Sequence, residues 1–219
     1  MESQVRGGTR WKRFAVVMVP SVAATAAIGV ALAQGALAAS FSVSGQEFKV
    51  SAGQLVGHGF TQYGSLDTGK SLDGKEDQAH PVAVSAFNSA EITNMCQSVV
   101  TPIPFLKKSV TLKLTAGDQG KDVEATGLYI DVANLDAKMA EFSQMDIGVA
   151  AGSATKGPRP KAEEYAKGTS SPFGFAQQAD TATLTGVQQT AWATTAGTFK
   201  LANLHMGLQF GSGKDIECY

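Results

Sequence analysis

The 219-residue chain carries 18 Lys and Arg against 19 Asp and Glu, a formal net charge of −1, with 43% hydrophobic residues and only two cysteines. Beyond Ala39 there are 18 acidic and 14 basic residues, a net charge near −4, and Arg159 is the only arginine. That balance excludes a nucleic-acid surface, which needs clustered Lys and Arg, and the cysteine count excludes a CxxC redox site or a cysteine metal cluster.

Residues 1–13 form a basic segment carrying Arg6, Arg10, Lys12 and Arg13. An uncharged stretch over 14–39 follows, ending near the small residues Ala36, Ala38 and Ala39. A basic flank, an apolar run and small residues form a secretory signal or a signal anchor. The run exceeds the usual signal core of about 7–15 residues, and roughly 20 suffice to span a bilayer. The expectation is one N-terminal hydrophobic helix. It either holds the chain in the cytoplasmic membrane, N-terminus in and C-terminus out, or is cleaved near Ala38/Ala39. The remainder, 40–219, is then extracytoplasmic. The oxidising compartment favours a Cys96–Cys218 disulfide tying the Glu217-Cys218-Tyr219 tail to the scaffold.

From residue 40 onward the signals are those of strands. Phe41 and Val43 alternate with Ser42 and Ser44, and Val110, Leu112 and Leu114 alternate with Thr111, Lys113 and Thr115. A period of two gives one buried and one wet face. A pattern recurs as FKVSAGQLVG from Phe48, AEITNMCQSV from Ala90, AEFSQMDIGV from Ala140 and FKLANLHMGL from Phe199. Apolar parity changes between Phe142 and Met145, which a regular strand permits only at a bulge or corner. Thr93-Asn94, Ser143-Gln144 and Ala202-Asn203 occupy that corner. Residues 128–149 also fit a helical period, but Gly197 and Thr198 in the matching part of the fourth copy oppose a helix, so strand is preferred at both.

The predicted class is therefore mainly β: an elongated β-sandwich or solenoid-like sheet of about four strand–corner–strand repeats. Two inserts interrupt it. Residues 65–80 read as a mobile polar loop, and residues 153–169 as an exposed excursion with one short helical stretch between Lys161 and Lys167.

The basic start with its Ala-rich run, the AASFSVSGQEFKVSAGQL segment, TNMCQSV and the closing ECY resemble an uncharacterised family of exported, single-anchor proteins of high-GC Gram-positive bacteria. Some members carry the label cholesterol esterase, so the resemblance implies a lipid-ester hydrolase as one alternative. A serine esterase needs an activated Ser, a His base and oxyanion donors. No G-x-S-x-G elbow occurs. The best local approximation to a triad is His58, Ser65 and Asp67 within GHGFTQYGSLD; His80 and His205 read as loop and solvent-facing residues.

No metal site or cofactor is expected: Asp73, Glu76 and Asp77 lack EF-hand spacing. What remains is apolar surface. Ile103, Phe105, Phe173, Phe175 and Phe210 either plug the core or line a lipid-accepting groove. The leading expectation is a non-enzymatic cell-envelope protein, with the membrane as partner through its N-terminal helix and either a lipid ligand or self-association through sheet edges.

Overall fold

The computed structural model describes Met18 and residues 43–219 apart from Pro104 and Lys107. The expected helix over 14–39, Met18 aside, and its cleavage site lie outside these residues. Among the described residues no helix is long and apolar enough to cross a membrane.

The alternating segments form strands as expected. They are β1 (Phe48–Lys70), β2 (Asp77–Thr93), β3 (Met95–Ile103), β4 (Lys108–Ala116) and β5 (Val123–Asp136). After these come β6 (Met139–Ser143), β7 (Asp146–Ala150), β8 (Phe175–Thr195), β9 (Thr198–Lys200) and β10 (His205–Phe210). One α-helix, α1 (Ala162–Lys167), interrupts them between β7 and β8. All ten strands belong to one sheet. Residues 128–149 fall in β5, β6 and β7 and the short breaks between them, which agrees with the reading against a helix.

The sheet closes on itself. β1 pairs with β2 from Gln54↔Thr93 to Lys70↔Asp77, and β2 with β5 from Ala83↔Val132 to Ile92↔Val123. β5 pairs with β8 from Tyr129↔Thr195 to Asp136↔Gln188, and β8 returns to β1 from Phe48↔Ala191 to Tyr63↔Ala176. Four antiparallel pairings thus form a ring, where the corner units led us to expect a sandwich or solenoid. The reason is the β8–β1 pairing, a long-range contact that no local pattern encodes.

β1 must curl to allow this. The Val43 N–H donates to the Thr68 carbonyl at 3.1 Å. Five residues from Val43 to Phe48 reach at most about 17 Å, whereas a straight strand from Phe48 to Thr68 would span about 66 Å. The strand therefore winds round the ring. Glycines at positive φ make the winding possible: Gly59 (64°), Gly127 (56°) and Gly186 (62°). Each resets which parity faces inward, so Leu55 is followed by Phe60, and Leu184 by Val187, as core residues.

The polar corners take the same backbone region. Asn94 (φ 49°), Gln144 (50°) and Asn203 (54°) are three of the four non-glycine residues with positive φ among the described residues. At the equivalent place in the first copy, around Ala52, β1 runs on without a corner. Beyond the ring, β3, β4 and β10 extend the sheet from the start of β1.

One of the expected inserts needs correction. Residues 65–80 are not a loop: β1 and β2 run on as a hairpin to Lys70↔Asp77, and only residues 71–76 turn. Charged residues suit it because the distal hairpin faces water, and Lys70 pairs with Asp77 at 2.5 Å. The 153–169 segment contains the short helix α1, as read from sequence, but it is strapped to the ring rather than standing off it. The Leu66 N–H donates to the Thr169 carbonyl at 3.0 Å, and Ala154 is buried.

Candidate functional site

Inward-facing side chains of the ring do not fill it. They leave a cavity of about 270 Å³. Its walls are Leu55 and Phe60 from β1, Phe87 from β2, Ile130 from β5, and Leu184 and Val187 from β8. Phe60 lies 5.3 Å, centroid to centroid, from both Phe87 and Phe142 of β6. Those tilted contacts fix the rings against one another, so the wall is preformed. A smaller space of about 30 Å³ adjoins, sharing Leu55, Ile130, Val187 and Gln189.

The mouth lies where β5 turns into β6. Leu135, Ala137 and Ala140 line the cavity there and are all exposed. Gly57 leaves room for the Phe87 ring: a Cβ at this position would sit 2.2 Å from Phe87 Cδ1. Polar groups are few and neutral. Gln62 Nε2 donates to Ser85 Oγ at 2.9 Å, and Gln62 Oε1 accepts from Gln177 Nε2 at 2.6 Å. Ser85 and Gln189 are each only 6% exposed. An apolar pocket with a few convergent polar groups is the usual form of a small-molecule site.

The apolar residues singled out from sequence do not build this cavity. Phe105 (98% exposed) sits at the β3–β4 turn, Phe173 (89%) and Phe175 precede or open β8, and Phe210 ends β10. Ile103, at the end of β3, is partly exposed. They are spread over different parts of the sheet, and none lines the cavity. Sequence reasoning passed over Gln62, Ser85 and Gln189 because isolated amides and hydroxyls carry no motif. The available signal was polar residues at inward parity on otherwise apolar faces.

The triad candidates separate. His58 is exposed on β1, opposite Ser89 and Thr181. Ser65 and Asp67 lie seven and nine residues further along the same strand. The structure instead sets Asp67 directly across from His80. No hydrogen bond joins them: the buried atoms Asp67 Oδ2 and His80 Nε2 have no partner among the described residues. His80 stacks on Trp192 with ring centroids 3.5 Å apart, and Ser65 Oγ donates to the Thr169 carbonyl at 3.2 Å. The hydroxyl is thus engaged with a carbonyl, not with a base.

Around Asp67 the outer face of the ring gathers acids beneath α1. Burial, and then Glu164, raises Asp67 to about 6. Burial, then Asp67 and Glu164, raises Asp131 to about 7, against a lowering pull from Lys161. Glu164 itself is pushed up by burial and accepts from Tyr63 Oη at 3.3 Å. Lys161 Nζ lies 4.5 Å from the Tyr129 ring centroid. No group of three or more His, Cys, Asp or Glu among the described residues is placed to hold a metal ion. Within the cluster, the Tyr63–Glu164 hydrogen bond joins α1 to β1.

The cysteines come together as the cysteine count suggested: Cys96 and Cys218 are bonded, with Cα atoms 5.7 Å apart.

Comparison with known proteins places the chain in one group. The model of a family of unknown function (DUF6230) matches residues 44–219, and the chain belongs to that family. No curated protein and no solved structure matches it.

Proposed function

We propose that this family member is an extracytoplasmic binding protein whose curled β ring holds a small apolar ligand, without catalysing a reaction on it. The observation that carries the reading is the preformed cavity with its exposed mouth at Leu135, Ala137 and Ala140. At about 270 Å³ it falls just below the ~300 Å³ at which ligand pockets usually begin. That suits one acyl chain or a small ring system, and is too little to enclose a whole sterol ester.

The location rests on the sequence: the basic residues 1–13 and apolar 14–39 support a tether at, or release from, the outer face of the cytoplasmic membrane. The repeat reading draws support from the left-handed backbone shared by Asn94, Gln144 and Asn203. The ester-hydrolase alternative lacks comparable support, since it needs a His within hydrogen-bond reach of a Ser Oγ.

The test is native mass spectrometry of the purified full-length chain, followed by solvent extraction of whatever co-purifies. One apolar molecule per chain is expected, and Ala140→Trp at the exposed mouth should reduce its occupancy at least tenfold. Ester turnover that depends on His58 or His80 would overturn the reading.

A further inference from the structure

Resting on that reading, we infer that the ligand is an uncharged amphipath: an apolar chain or ring ending in one hydroxyl or carbonyl, held by Ser85. The lining decides the class. Among the described residues it contains no ionisable side chain, and its polar members are Gln62, Ser85 and Gln189. Moving an ionised carboxylate or ammonium out of water without a charged partner is strongly unfavourable. A neutral head group is not penalised in that way, provided it finds hydrogen bonds.

Two of the three polar groups have capacity left. Gln62 is committed at both ends, donating to Ser85 and accepting from Gln177. Ser85 Oγ accepts from Gln62, and its own proton has no acceptor among the described residues. The Gln189 side chain, which faces both the cavity and the adjoining space, makes no hydrogen bond among the described residues. Both residues are 94% buried. The Gln189 amide is not among the buried atoms left without a partner, and it lies across from Leu135 at the mouth, where water can reach it. One hydroxyl or carbonyl oxygen can accept from Ser85. The rest of such a ligand would lie against Leu55, Phe60, Phe87 and Val187, towards the mouth.

The experiment compares 1-decanol with decanoate at pH 8 on the full-length chain by titration calorimetry, with native mass spectrometry for stoichiometry. Decanol should bind one per chain, at least tenfold more tightly than decanoate. Ser85→Ala should weaken decanol binding about three- to tenfold, the loss of roughly one neutral hydrogen bond. Ser85→Cys, which keeps a weaker donor, provides a second reading should Ser85→Ala disturb folding. Decanoate binding as tightly as decanol would overturn the ligand class and leave the binding function standing. Failure of both probes to bind would overturn both.

Discussion

Lys49 Nζ sits 2.7 Å from Glu217 Oε2, joining the start of β1 to the C-terminal tail. Glu217 is only 8% exposed, and its other carboxylate oxygen accepts from the Gly213 N–H at 2.6 Å. Lys49 also donates to the Tyr219 carbonyl at 3.1 Å, while the Cys218 N–H donates to Ser98 Oγ at 3.1 Å. The tail is therefore held by charge, hydrogen bonds and a disulfide at once.

Removing one partner leaves the other poorly solvated. Lys49→Met should destabilise the chain by about 1–2 kcal/mol, less than a fully buried pair because the Lys49 side chain is 35% exposed. Chemical denaturation under non-reducing conditions measures this. An unchanged midpoint would mean that the disulfide alone secures the tail.

Cutting the covalent link is the complementary test. The Cys96–Cys218 bridge spans 122 residues of sequence. The loop-entropy model gives about 5 kcal/mol for such a loop, and measured losses run about 2–5 kcal/mol. Cys96→Ser with Cys218→Ser should lower the denaturation midpoint accordingly, and reduction of the unmodified chain should give the same shift.

The acids under α1 give stability a pH dependence of definite sign. Asp67 and Asp131 have folded values raised to about 6 and about 7. An ordinary aspartate titrates near 4 in the unfolded chain, so the folded state binds protons more strongly. Their contribution is fully present below about pH 4 and is lost as pH rises through 6 and 7. Glu217 works the other way: its hydrogen bond to Lys49 lowers it, so its contribution is lost on acidification below the ordinary glutamate range. Between pH 5 and 8 the aspartates dominate. The denaturation midpoint should fall across that window, and Asp67→Asn with Asp131→Asn should flatten it.

Gly57→Ala tests how closely the wall is packed. The added Cβ would meet Phe87 Cδ1 at 2.2 Å and Cε1 at 2.4 Å. Phe87 is 2% exposed and packs on Phe60, so it has little room to yield. We expect a loss of about 1–3 kcal/mol from overpacking, together with weaker ligand binding because the ring moves into the cavity. Unfolding curves and titration calorimetry on the same variant report both.

The alternation of Val110, Leu112 and Leu114 declared β4, because side-chain period is a property of the strand itself. Parity changes marked the corners, and Asn94, Gln144 and Asn203 there adopt the left-handed backbone that short polar or amide side chains tolerate better than branched ones. Cys96 had only Cys218 to pair with in the chain. The site was far less legible. His58, Ser65 and Asp67 looked close in sequence, yet an extended strand separates neighbours by over 3 Å per residue. Asp67 meets His80 only because the β1–β2 hairpin folds back, and the polar stretch that looked like a loop is that hairpin's end.

By itself, then, the sequence determined the class of structure: a mainly β chain, several of its strands, and which cysteines can bond. These follow from backbone preferences and side-chain period, which act over a few residues. Only the tertiary structure decided that the sheet closes and leaves a cavity. Phe48 meets Ala191, and Gln62 meets Gln177, across more than 100 residues. Such partners are chosen by the packing of the whole ring, since any apolar strand face could have met any other.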